Sequence, residues 1–416
     1  MKDMNGPVPN FPLAERARAE WATEQPLPDF TDTQLTFSHL DNTRLRATRE
    51  LFRLMGLPWL TRIMGSMGVQ AINWGLPGAK WMVKNTLYKQ FVGGTTLEAA
   101  EQAIARLATR EVDSILDYGA EGKDTSEGMQ AAFEESLRAT RFASETPAAI
   151  GSVVKMTSLV PNEVLEQYND TILDFSNLPH PALAAGVAHL EEICALGRDR
   201  GCEVYLDAEE SWIQHTIDQT AEYLMSRYNQ EGHVVFTTCQ LYRHDRLAYL
   251  KAAHLRARQG GYKFALKIVR GAYMVKERQR AADQGYPSPI QPDIQSTHRD
   301  FDAAAAYCLS HHDEIACCVA SHNQDSVMTM LEAMRSAQVA RNHPNVRFSQ
   351  LLGMSGHLTF NLAEGGYNVS KYMVYGPVRE VLPYLVRRAQ ENTSVTGEAG
   401  RELRMLEEEL QRRAAL

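Results

Sequence analysis

Residues 203–210 read Glu203-Val204-Tyr205-Leu206-Asp207-Ala208-Glu209-Glu210, a short apolar run that breaks into carboxylates and is followed by a longer amphipathic segment. The same texture recurs at 112–118, 150–156, 234–239, 264–269, 316–320, 346–351 and 369–374, so eight apolar runs alternate with helical stretches. Strand and helix in alternation is the signature of βαβ units and a parallel sheet. Eight such units close a barrel, and the 281 residues from 112 to 392 are close to the ~250 that a (βα)8 barrel needs. A doubly wound sheet is the competing architecture. Its dinucleotide-binding form would carry G-x-G-x-x-G after a strand, and neither that motif nor a Walker A loop occurs. The expected fold is therefore α/β, of the TIM-barrel type.

Ahead of the first run the pattern is helical: Ala, Leu and charged residues repeat every three and four positions in 96–109. The expected organisation is an α-helical N-terminal arm over 1–110, the barrel over 111–395 and a helical tail over 396–416. With 416 residues, 44% hydrophobic and 23% charged, the chain has the composition of a soluble globular protein with a substantial core. A net charge of −8 argues against nucleic acid as the main partner. Six cysteines show no C-x-x-C pair and no His-spaced zinc pattern, so neither a disulfide framework nor a metal site is expected. Residues 1–7 lack a basic region leading into an apolar core, and there is no Arg-rich transit peptide; the expected location is cytoplasmic. The uncharged stretch 63–79 contains Ser66, Gln70, Asn73, Pro77 and several glycines. It falls short of the ~20 mostly apolar residues of a membrane span. It reads as packed helix, with peripheral membrane contact as the alternative, and residues 51–83 are the candidate docking segment.

In barrels, chemistry gathers where the strands end. Here those ends carry Asp117 to Glu121, Lys155-Met156-Thr157, Asp207 to Glu210, Gln240, Arg270-Gly271-Ala272-Tyr273, Ser321-His322-Asn323, Gly353-Met354 and Tyr372 to Tyr375. Strands also stop at polar residues for purely structural reasons, but polar groups at nearly every end favour a site. Farther on, Tyr384, Arg387, Arg388 and Glu391 are three and four apart and share one helix face. Two guanidiniums beside a phenol make either a solvated basic turn paired with Glu391 or a clamp for a carboxylate, which guanidinium forks bind bidentately. The helix proper is expected to start at Pro383, because proline sits poorly in a helix interior. Taken alone, Lys155 suits a Schiff-base nucleophile or a structural lysine, and Asp207 with the following Ala208-Glu209-Glu210 suits a helix cap.

In order along the chain, the blocks at 116–118, 154–157, 206–210, 239–242, 269–273, 321–323, 350–354, 375–378 and 384–392 resemble the proline dehydrogenase family, whose members also form one half of the bifunctional proline utilisation A proteins. The resemblance covers roughly 85–395, and Leu116-Asp117-Tyr118 and Tyr375-Gly376-Pro377-Val378 are nearer the mitochondrial type. It implies a distorted barrel with FAD across its C-terminal mouth. It also implies oxidation of L-proline to Δ1-pyrroline-5-carboxylate by hydride transfer to flavin N5, with electrons passed to a quinone. Only about 24 residues follow Asn392, so a monofunctional enzyme served by a separate pyrroline-5-carboxylate dehydrogenase is expected. The expected location becomes cytoplasmic or peripheral on an inner membrane, on the matrix side in a eukaryote.

Carried over by position, Arg387 and Arg388 match the pair that grips the substrate carboxylate, with Lys155 as third cation. Tyr273, Tyr372 and Tyr384 match aromatics around the proline ring. Asp207 matches an acid in the substrate and flavin network, and Lys267 stands where many bacterial members carry Arg near flavin N5. Gln240, Arg270, Gly271, Ala272, His322, Asn323 and Glu391 match flavin contacts, and Glu121 matches a gate that pairs with Arg387. Relatives acting on hydroxyproline resemble one another in a smaller residue at the Tyr372 position, so proline is preferred and hydroxyproline is the alternative. Two further rivals are a lyase using Lys155 and a degenerate barrel without cofactor.

Overall fold

The computed structural model describes residues 26–55, 87–119, 125–394 and 398–416. Its eight parallel strands close into a barrel in chain order. They are β1 (Asp113–Tyr118), β2 (Ala149–Val154), β3 (Glu203–Leu206), β4 (Val235–Gln240), β5 (Phe264–Val269), β6 (Ile315–Ala320), β7 (Val346–Leu351) and β8 (Val369–Tyr375). Each lies within two residues of its expected run. The largest difference is at β2, which ends at Val154 instead of continuing to 156. Beyond it the chain tightens into a 3-10 turn, Met156–Ser158, in which the Ser158 amide donates to the Lys155 carbonyl at 3.0 Å.

Strand alternation decides what faces inward. On β3, Glu203, Tyr205 and, just past the end, Asp207 share one side, while Val204 and Leu206 share the other. The Tyr205 hydroxyl donates to Glu203 at 2.7 Å, its ring stacks on Phe236 at 4.6 Å, and Arg347 approaches Glu203 to 3.7 Å. A contact between β3 and β7, on opposite sides of an eight-stranded ring, places these side chains in the interior.

The described residues form two compact units. The first, within 125–348, carries β2 to β6 and the start of β7. The second, Pro26–Gly119 with Ser349–Leu416, carries β1 and β8, paired in register from Asp113↔Ser370 to Tyr118↔Tyr375. In the second unit the helix Leu97–Ala108 is capped by Thr96, whose hydroxyl accepts the Ala99 amide at 3.2 Å. It buries Leu97, Ala100, Ala103, Ile104 and Leu107, the three-and-four periodicity seen in the sequence. The terminal helix Glu398–Ala414 packs on the helix Asn42–Met55, and Phe52, Phe91, Val374, Leu385 and Leu406 share that unit's core.

The expected helix start at Pro383 is corrected. The helix runs Val378–Ser394 with Pro383 inside it. Pro377 sets the first turn, its carbonyl accepting the Val381 amide at 3.2 Å, and burial of Val381, Leu382, Tyr384 and Leu385 holds the helix through the one amide that proline lacks. Arg379, four residues earlier, whose carbonyl loses its helical partner, is exposed, so the loss costs little.

Among the described residues no helix is long and apolar enough to cross a membrane. Glu121, the stretch 63–79 and most of 51–83 lie outside the described residues.

Candidate active site

In the first unit, the ends of β2, β3 and β5 bring Lys155, Asp207 and Lys267 together. Lys267 Nζ donates to Asp207 Oδ1 at 2.5 Å, and Lys155 Nζ lies 3.8 Å from Oδ2. The two lysine side chains are 6% exposed and the aspartate 15%. Burial of ammonium groups is costly without an anion beside them, so the carboxylate fixes where both cations point. Lys155 is also within electrostatic reach of the buried Glu209.

Asp207 and its neighbours do not cap the next helix. The residue before Ser211–Tyr228, Glu210, makes no side-chain cap bond, and the Ser211 amide is taken at 2.6 Å by Glu277. Glu209 has another task that the sequence did not disclose. Its carboxylate accepts the Thr157 amide at 3.1 Å and the Thr157 hydroxyl at 2.5 Å, and its carbonyl accepts from Gln240 Nε2 at 2.7 Å. It thereby ties the Lys155 turn to the ends of β3 and β4. The pair Glu209-Glu210 at a strand end was the available signal, and a capping role obscured it.

Burial pushes the Glu209 carboxyl up to about 8, with the Thr157 hydrogen bonds pulling the other way. Its folded value lies above its unfolded one, so the folded state binds the proton more tightly. Stability contributed by this group is present at acid pH and is lost as pH rises from the ordinary carboxylate range through about 8. Glu209→Gln is expected to flatten that decline. Thermal melts at about pH 6 and about pH 9 check this, and identical pH dependence in parent and variant refutes it.

Around the β4, β5 and β6 ends, Gln240 Oε1 accepts the Ala272 amide at 3.3 Å. Arg270 is anchored by His298 at 2.9 Å, Ser321 at 2.6 Å and Ser326 at 2.8 Å, over the Phe301 ring at 4.3 Å. Gly271 has φ +134°, and a Cβ there would stand 2.4 Å from the Tyr242 ring. The glycine is thus demanded by its own backbone and by Tyr242. Asn323 caps the helix Gln324–Ser336 through the Ser326 amide at 2.9 Å, and Tyr273 and His322 are half-buried beside these turns.

In the second unit, Tyr384 and Arg388 are buried, and the Arg388 guanidinium lies over the Tyr384 ring at 5.3 Å. Arg387 is half-buried on the same helix, and Tyr372 is half-buried on β8 opposite Ile115. An arginine residue 6% exposed does not fit a solvated basic turn. Glu391 lies on this helix as well.

A closed eight-stranded parallel barrel with charged groups at its strand ends defines the TIM-barrel class. The family model described as proline dehydrogenase matches residues 100–401, and the chain belongs to that family. Proline dehydrogenase 1, mitochondrial, of Dictyostelium discoideum is 30% identical over 377 residues, covering 80% of this chain and 66% of that protein. The hydroxyproline dehydrogenase of Bos taurus is 30% identical over 414 residues, covering 88% and 90%. Among solved structures, proline utilization A from Bdellovibrio bacteriovorus inactivated by N-propargylglycine shares the fold, with a TM-score of 0.69 at 17% identity over 95% of this chain and 42% of that one. The chain therefore spans just under two thirds of the Dictyostelium protein and less than half of the solved one.

Proposed function

We propose that the chain is an FAD-dependent proline dehydrogenase that oxidises L-proline to Δ1-pyrroline-5-carboxylate and passes the electrons to a quinone. The observation that carries the reading is the buried Lys155–Asp207–Lys267 constellation at the strand ends of a proline dehydrogenase family barrel. Its two ammonium groups suit the carboxylate of an amino acid. The donor set at β4 to β6 fits a flavin dinucleotide: an anchored guanidinium, a bridging amide and backbone turns offer charge and directed hydrogen bonds at neighbouring strand ends. Bound FAD would supply the two-electron acceptor chemistry.

The chain's own residues do the rest. Arg387 and Arg388 are proposed to grip the substrate carboxylate, and Lys155 to serve as a third cation. Tyr273, Tyr372 and Tyr384 offer apolar ring faces to a substrate ring made of CH2 groups. Lys267, oriented by Asp207, keeps the local field positive. Gln240, Arg270, Gly271, Ala272, His322, Asn323 and Glu391 are proposed to hold the cofactor, and Glu121 to gate the site. On this reading 111–395 is the catalytic barrel, 1–110 and 396–416 are its helical arm and tail, and a separate dehydrogenase consumes the product. Quinone as acceptor favours peripheral residence at a membrane.

Hydroxyproline is the second reading, because the bovine hydroxyproline dehydrogenase aligns over 90% of its own length. Tyr372 supports proline. The test is an absorbance spectrum of the purified protein before and after anaerobic addition of each imino acid. The expected result is a flavin band that bleaches with L-proline, with kcat/KM for proline at least about tenfold above that for hydroxyproline. A colourless protein that takes up no added FAD overturns the proposal.

A further inference from the structure

At the opposite end of the first unit's strands from the candidate site, two turns lead into neighbouring strands. One carries His312 and Asp313 just before β6, and the other carries His343 three residues before β7. Their donor atoms all lie within 4.8 Å of one another. His312 Nε2 is 3.6 Å from Asp313 Oδ1, and the two imidazole rings meet edge to face at 4.8 Å. None of these residues has a part in the proposed reaction.

We propose that His312, Asp313 and His343 form a site for one borderline divalent cation, of which Zn2+ is the type. Three observations support it. The first is the tautomer of His312: Nδ1 lies 2.8 Å from the Leu309 carbonyl, which can only accept. Nδ1 therefore carries a proton, which leaves Nε2 as the nitrogen turned toward Asp313, the arrangement found behind most metal-bound histidines. The second is preorganisation. The Asn345 side chain donates to the His312 carbonyl at 2.7 Å, and the Val346 amide to the His343 carbonyl at 3.0 Å. The Cys317 amide donates to the Asn345 carbonyl at 2.8 Å. The two turns are thus joined by hydrogen bonds before any ion arrives.

The third is a shared tether: the Asn345 amide donates to His343 Nδ1 at 3.3 Å, so the residue that holds the His312 carbonyl also holds the His343 ring. Two imidazoles and one carboxylate favour Zn2+, Co2+ or Ni2+ over the oxygen-seeking Ca2+ and Mg2+. Asp313 is 86% exposed, so water can complete the coordination. Conservation of such a site would be a matter of stability, because the N-terminal face of a barrel is its structural face.

The site escapes a scan for zinc spacing because its third ligand lies on a different turn, 31 residues after His312. The experiment is titration of the chelator-treated full chain with Zn2+ by calorimetry, with Co2+ as a spectroscopic probe. Parallel titrations use Asp313→Ala, which is exposed and leaves the fold alone, His312→Gln and His343→Gln. The expected result is one Zn2+ per chain, ligand-field bands from Co2+ to the red of any flavin absorption, and a higher melting temperature with Zn2+. Each variant should weaken binding by more than about tenfold and lose the thermal gain. No binding by the parent, or variants that bind as the parent does, overturns the proposal.

Discussion

Asp207→Ala is expected to lower kcat for L-proline about 100-fold, the loss typical when an oriented electrostatic group is removed, while KM stays level or falls. The two halves of this expectation have separate causes. Removing the carboxylate strips an anion from between Lys155 and Lys267, at 3.8 and 2.5 Å. The site becomes more positive, so a substrate carboxylate is held no less firmly. At the same time both ammoniums lose an anion that helps to aim them, and mutual repulsion turns them apart, so turnover suffers where binding does not. Loss confined to kcat marks an interaction made in the transition state, whereas loss confined to KM marks uniform binding. Steady-state kinetics with L-proline, beside a melt showing the variant folded, separates the cases. A raised KM with normal kcat would sink the idea that Asp207 acts through the lysines. Asp207→Asn keeps the shape but not the charge, and should fall between parent and Ala variant.

The barrel was legible because its signal is redundant. Eight apolar runs at regular spacing survive an error of a residue or two at any one of them, and the observed strands differ from expectation by no more than that. Single-residue features have no such redundancy. Pro383 read as a helix start because proline disfavours helix interiors, yet four buried neighbours outweigh one missing hydrogen bond. Glu209 read as one acid of a cap, since a sequence shows that an acid precedes a helix but not that Thr157, far along the chain, will offer it two donors. Gly271 read as room for a cofactor, and the structure adds a nearer reason in the Tyr242 ring. The Tyr384, Arg387, Arg388 face was visible from helical spacing alone. What spacing could not tell is that Arg388 is buried, which sets it apart from a solvated turn.

Arg246 shows the same blindness with a larger energetic consequence. It is the first residue of the helix Arg246–Gly260, where the helix dipole disfavours a cation, and by sequence it belongs in solvent. Instead its side chain is 4% exposed and forms a two-point pair with Asp218, Nη1 to Oδ2 at 2.7 Å and Nη2 to Oδ1 at 2.9 Å, with the guanidinium 3.8 Å over the Tyr249 ring. Gln214 Nε2 donates to Asp218 Oδ1 as well, at 2.9 Å, so the carboxylate is fully engaged. Asp218→Ala is expected to cost about 3–5 kcal/mol, because it leaves a buried guanidinium without its anion. Little of that is the worth of the pair itself, since its attraction mainly repays the removal of both charges from water. The double variant Asp218→Leu with Arg246→Met should therefore recover most of the loss, as apolar replacement of a buried pair is often neutral or stabilising. Chemical denaturation of the parent, both single variants and the double variant measures the cycle. Additive losses would mean the two side chains act independently, and a loss below about 1 kcal/mol for Asp218→Ala would mean that water or a rearranged Arg246 already relieves the buried charge.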